Sequence, residues 1–191
     1  MAGGWTLEVS LKDDTDATSY TTSAFTSGQG GVGACLVVTS DSVETGTVSD
    51  SLGGSWDFVA SRLLASSTGH AKIFVRSTLI PTSSMTVTFS CPNDQATSCL
   101  IAVMSDITVT RLGLAAVRQV GGQDNIAAST TPAPTFSLSP LTTNSCLGLI
   151  GSNKTTAMVP PTLWTEALED ATASSKYSIF VAGRGFLFIQ I

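Results

Sequence analysis

The sequence predicts an all-β chain, a two-sheet antiparallel β-sandwich of the jelly-roll or Greek-key kind, and three observations predict it. Apolar residues alternate with polar ones over several short runs, the period of a strand buried on one face. Gly, Pro, Asn and Asp collect between those runs, where turns need them. Charged residues make up 12% of the chain against 42% hydrophobic ones. Ser, Thr and Gly fill much of the rest, a composition that suits strands better than surface helices.

With 191 residues the chain can bury a substantial core without a disulfide or metal staple, and one domain over 1–191 is expected. Trp5, Leu7, Val9 and Leu11 alternate with Thr6, Glu8 and Ser10, so a first strand is expected with its apolar side chains all on one sheet face. Asp13-Asp14-Thr15-Asp16 ends it with turn chemistry. After the glycine-rich run 28–33, Ala34-Cys35-Leu36-Val37-Val38 is short, continuous and apolar, which suits a strand buried on both sides. A strand over 45–48, a turn through Asp50-Ser51-Leu52-Gly53-Gly54 and a strand carrying Trp56 and Phe58 come next.

Ile73 and Val75 alternate with Lys72, Phe74 and Arg76, and Met85, Val87, Phe89 and Cys91 with Thr86, Thr88 and Ser90; Pro81 is the corner between the two runs. Residues 98–111 read as a longer strand kinked at Asp106. Further strands are expected at 135–138, 146–150, 177–182 and 186–191. The segment 162–171 is expected to be a loop with a turn of helix.

A net charge of −5 with nine Lys and Arg cannot neutralise a run of phosphates, which excludes nucleic acid as a direct partner and disfavours an anionic membrane surface. The first residues lack the basic and apolar regions of a signal peptide, and no apolar stretch nears the roughly 18 residues of a spanning helix. A soluble protein made in a cytoplasm is the expectation. Cys35, Cys91, Cys99 and Cys146 are too scattered for a disulfide scaffold and are expected as buried free thiols, with Cys91 and Cys99 placed to be cross-strand neighbours.

Motifs that could carry chemistry give little. Gly28-x-Gly30-x-x-Gly33 spells a dinucleotide fingerprint, but its last glycine opens a strand where the phosphate site needs a helix. His70 is the sole histidine, no Gly-x-Ser-x-Gly elbow accompanies it, and its place beside Gly69 suggests an exposed turn. A multi-histidine zinc site is excluded by count, and no Cys-x-x-Cys pair is present. Glu166 with Glu169 or Asp170 could serve as paired carboxylates, and Asp13, Asp14 and Asp16 could touch calcium, but solvated acids explain both groups. Asn153-Lys154-Thr155 is a glycosylation sequon that matters only after export. Trp56 and Trp164 could begin a sugar-binding line of rings, yet alternation places Trp56 in the core with Phe58. No catalytic residue, metal site or cofactor is expected.

Several segments, in order, resemble a family of β-sandwich virion proteins of tailed bacteriophages. They are Gly-Ala-Cys-Leu-Val-Val (33–38), Val-Ser-Asp-Ser-Leu-Gly-Gly-Ser-Trp (48–56), Ile-Phe-Val-Arg (73–76), Ser-Met-Thr-Val-Thr-Phe-Ser (84–90) and Cys-Leu-Ile-Ala-Val-Met-Ser-Asp-Ile (99–107). The segment 48–56 is the most distinctive, and Met104-Ser105-Asp106 departs from the pattern of the relatives. The resemblance implies a capsid decoration (cement) protein on the virion surface, made in the host cytoplasm. Its partner would be the major capsid protein, and it would act as a homo-oligomer, commonly a trimer.

Such a module needs no active site, and a surface poor in Lys and Glu suits burial against a neighbour. The segment 1–12, with Trp5, Leu7 and Val9 as candidate partner-interface residues, then reads either as an arm pairing with a neighbouring sheet edge or as a strand closing its own sandwich. The competing readings are a carbohydrate-binding or adhesin module of a phage tail or fibre, and a glycosidase-like enzyme.

Overall fold

The computed structural model describes residues 4–28, 30–40, 46–63, 69–91, 96, 98–121, 146–152, 165–171, 176–182 and 188–190. Among the described residues the regular structure comprises twelve strands and one short 3-10 turn: β1 (Thr6–Asp13), β2 (Ser19–Thr21), β3 (Val32–Ser40), β4 (Thr47–Asp50), β5 (Trp56–Leu63), β6 (Gly69–Arg76), β7 (Val87–Ser90), β8 (Cys99–Asp106), the 3-10 turn Gly113–Ala116, β9 (Cys146–Ser152), β10 (Thr165–Ala171), β11 (Lys176–Ala182) and β12 (Phe188–Gln190).

A five-stranded antiparallel sheet, ordered β1-β8-β3-β6-β5, packs against a three-stranded antiparallel sheet, ordered β2-β7-β4. Every connection from β1 to β8 except β5 to β6 carries the chain from one sheet to the other. The all-β sandwich is therefore present. Its core lies between these sheets, where Cys35, Val37, Phe74, Ile101 and Val103 of the larger sheet meet Tyr20, Val48, Val87 and Phe89 of the smaller one.

The central strands are buried on both faces. Every residue of β6 and β8 is buried, and in β3 Ala34, Leu36 and Val38 point away from the sandwich core into a second one with Ile73, Leu100, Ala102 and Met104. Leu147 and Leu149 of β9 close that second core, with Ala167 and Leu168 of β10 packed against it. These belong to a four-stranded sheet ordered β10-β11-β9-β12, in which β12 runs parallel to β9. The sandwich thus carries a third layer, which the continuous apolar run 34–38 requires because antiparallel strands with one wet face would alternate.

Three strands shift register, β1 between Leu7 and Val9, β5 between Phe58 and Ala60, and β10 between Glu166 and Leu168, and each is the edge strand of its sheet. Bulges twist an edge away from further pairing and so guard it against unwanted strand addition.

Two expectations are corrected by this fold. The strand expected over 98–111 ends at Asp106, where the Asp106 carboxylate accepts the Thr108 N–H and hydroxyl and turns the chain out of the sheet. In the segment 162–171, residues 165–171 form β10, paired along their length with β11. Glu, Ala and Leu are good helix formers, but intrinsic propensity is a small term that pairing in a packed sheet outweighs. The strand predicted at 135–138 lies outside the described residues.

Candidate functional site

The first strand does not place its apolar residues on one face. Leu7 pairs with Met104 and Val9 with Val103, so two residues of β1 span one step of β8 and Glu8 is the extra residue. Trp5 and Leu7 consequently pack on the second core, whereas Val9 and Leu11 pack on the sandwich core. The bulge is held by Glu8, whose carboxylate accepts from Ser27 Oγ at 3.1 Å and from Ser105 Oγ. All three candidate interface residues are half-buried in the chain's own cores. Among the described residues β1 pairs with β8 alone, which leaves its outer edge unpaired.

The segment 48–56 builds a buried staple at one end of the sandwich. Asp50 ends β4, and its Oδ1 accepts the backbone N–H groups of Leu52 and Gly54, each at 3.0 Å. Its Oδ2 accepts Trp56 Nε1 and Arg76 Nε, each at 2.9 Å. The ion pair is cut off from water, with the Asp50 side chain 0% exposed and the Arg76 side chain 6%. Burial alone would raise the Asp50 pKa, but the bonds from Arg76, Gly54 and Trp56 outweigh it and hold the carboxyl below its ordinary range. Arg76 Nη1 also donates to Thr78 Oγ1 and to the Leu79 carbonyl. A β-carbon at Gly54 would collide with the Arg76 guanidinium and the Asp50 carboxylate, so only glycine fits there. Trp56 is in the core with its indole N–H engaged. Phe58, expected in the core beside it, is corrected to half-exposed, 52%: it stands on the edge strand β5 in an edge-to-face contact with Phe74, where little packs over it.

This staple fixes the backbone beneath two exposed apolar side chains. Leu52, whose N–H is held by Asp50, is 48% exposed, and Leu79, whose carbonyl is held by Arg76, is 55% exposed. A lone acid before a Gly-Gly turn and an arginine inside an apolar strand were the signals available, since a charge entering a core needs a counter-charge.

Other candidate residues resolve into structural roles. The run 28–33 is a close crossing that feeds β3: Gly30 and Gly31 have φ of 72° and 110°, and Ile80 N–H donates to the Gly31 carbonyl at 2.7 Å. A β-carbon at Gly31 would lie 2.6 Å from the Asp106 carbonyl oxygen. His70 is corrected from an exposed turn to a buried residue of β6, 4% exposed and opposite Thr39 of β3, because β6 begins at Gly69. Lys72, on the same face, is wholly buried with Nζ 5.5 Å from the centre of the Phe89 ring.

Asp13 Oδ1 accepts the backbone and hydroxyl of Thr15, which makes a local turn of the acidic run. Glu166 and Asp170 are half-buried and Glu169 is exposed, all on β10. Cys35, Cys91 and Cys99 are buried free thiols, as expected. Burial pushes the Cys35 and Cys99 thiols up; at Cys99 the neighbouring Cys35 and Cys91 add to this while Lys72 opposes it. Asn153 and Trp164 lie outside the described residues, as does the Cys146 side chain.

Among the described residues no group of three or more His, Cys, Asp or Glu could hold a metal ion, and no helix is long and apolar enough to cross a membrane. No protein-family model, curated protein or solved structure matches the chain.

Proposed function

We propose that the chain is a structural virion protein, a capsid decoration (cement) protein that binds the outer surface of a tailed-phage major capsid shell as a homotrimer. The observation that carries this reading is the stapled end of the sandwich. There a buried Asp50–Arg76 pair fixes the backbone at Leu52 and Leu79, two half-exposed leucines on neighbouring loops. Apolar side chains held out on a rigid base lose little conformational freedom when covered, which favours a docking surface. The segment 48–56 that forms this end is also the most distinctive part of the resemblance to phage virion proteins. In this reading β1, a sheet edge with Trp5, Leu7 and Val9 half-buried, is a second contact.

Light scattering coupled to size-exclusion chromatography, followed by cosedimentation with shells assembled from a tailed-phage major capsid protein, tests the proposal. A trimer that sediments with shells supports it, and Leu52→Asp with Leu79→Asp should then abolish sedimentation while the fold persists. A monomer that ignores shells overturns it, and retention of that monomer on a glycan array would transfer the assignment to a carbohydrate-binding tail or fibre module.

A further inference from the structure

We infer that Trp5 and Asp106 form a latch, an indole N–H to carboxylate hydrogen bond, that seats the N-terminal strand in its own sheet. Thr6 pairs with Ser105, so the same register sets Trp5 opposite Asp106 at the end of the β1–β8 ladder. The two share a face: Trp5 packs on the second core, and Asp106 has the parity of Ala102 and Met104, which line it. Trp5 Nε1 and Asp106 Oδ2 are each buried and, among the described residues, without a hydrogen-bond partner, one a donor and the other an acceptor. Asp106 is 1% exposed, and its other oxygen, Oδ1, is occupied by the Thr108 N–H at 2.8 Å and the Thr108 hydroxyl at 2.6 Å. Residues opposite each other in an antiparallel pair stand about 5 Å apart at Cβ, which a small rotation of either side chain can close.

The latch has work to do in this position. Beyond it the bulge at Glu8 splits the apolar contacts of β1 between two cores, so among the described residues the apolar contacts of β1 with the second core come from Trp5 and Leu7. A buried donor facing a buried acceptor couples the seating of β1 to one bond, and breaking it frees the edge strand while the inner strands stay paired. The inference concerns the chain's own sheet and does not rest on the capsid reading.

The test is hydrogen exchange by nuclear magnetic resonance on the intact chain, following the Trp5 indole and the amides of Leu7 and Val9, with Ile73 and Val75 of β6 as internal controls. Asp106→Asn keeps an Oδ1 acceptor for Thr108 but turns a donor toward the indole. It should shift the indole resonance and speed its exchange by about tenfold or more. Trp5→Phe keeps a ring in the second core and removes the donor. It should speed exchange at Leu7 and Val9 to a similar degree and leave Ile73 and Val75 unchanged. An indole that keeps its wild-type shift and exchange in Asp106→Asn overturns the latch. So do unchanged β1 amides in Trp5→Phe, or an indole that responds to Glu166→Gln, whose Oε1 is also buried without a partner, in place of Asp106→Asn.

Discussion

Arg76 Nε donates to Asp50 Oδ2 at 2.9 Å, and this pair joins the two sheets of the sandwich, since Asp50 ends β4 in the three-stranded sheet and Arg76 ends β6 in the five-stranded one. A buried ion pair of this kind adds little to stability over a well-packed apolar substitute, but removing one partner strands a charge in the core. Asp50→Asn should therefore destabilise the protein by about 3 kcal/mol or more, read as a lower urea midpoint at unchanged slope. Arg76→Met should cost less than Asp50→Asn, because the remaining carboxylate keeps three N–H donors. The double variant should fall short of the summed losses by more than about 1 kcal/mol. Additive losses would show that the two side chains do not act together.

The same carboxyl sets a pH dependence. Its folded pKa lies below the unfolded value of 3.8. The stabilisation is thus complete above the unfolded value and is lost as pH falls through the folded one. Urea midpoints measured from pH 7 down to pH 2 should hold until about pH 4 and then drop. Asp50→Asn should start lower and respond less over that acid range. Equal acid slopes in the two proteins would assign the loss to other carboxylates.

Gly53 and Gly54 should differ in their tolerance. Gly53 has φ of 76° with open space around its α-carbon, so Gly53→Ala meets only the left-handed backbone penalty, about 1 kcal/mol. Gly54→Ala drives a methyl group into the guanidinium and carboxylate of the staple. Both groups are pinned by several bonds and cannot step aside. It should cost clearly more than Gly53→Ala, and thermal melting of the two variants side by side decides the order.

The buried thiols predict a labelling pattern. Cys35, Cys91 and Cys99 are buried, and burial disfavours the thiolates of Cys35 and Cys99. In a Cys146→Ser background, a thiol reagent at pH 8 should leave all three unmodified in the native protein and modify all three in denaturant. Rapid native modification of any one of them would show that the sandwich core opens far more readily than this packing implies.

Much of the fold was legible in the sequence, because alternation and turn residues are local properties of the chain. The all-β class, the two-faced burial of Ala34 to Val38, the core position of Trp56 and the free thiols all follow from residue type and spacing. Alternation also misled. It placed Trp5, Leu7 and Val9 on one face, because a bulge is one extra residue that shows only when the strand is paired with its neighbour. His70 seemed polar and exposed beside Gly69 for the same reason, since burial of a strand's start depends on what packs over it.

What the sequence determined by itself was the all-β class and most of the strands that alternate or run apolar, as these depend on side-chain period and backbone freedom; β2 and β10 carried no such signal and were missed. What the tertiary structure alone decided was the third sheet over the second core, the bulged edges, and the meeting of Asp50 with Arg76. Those depend on contacts between residues far apart in the chain, 26 positions in the case of the ion pair. A local pattern fixes which face a side chain prefers, and only packing fixes what that face meets.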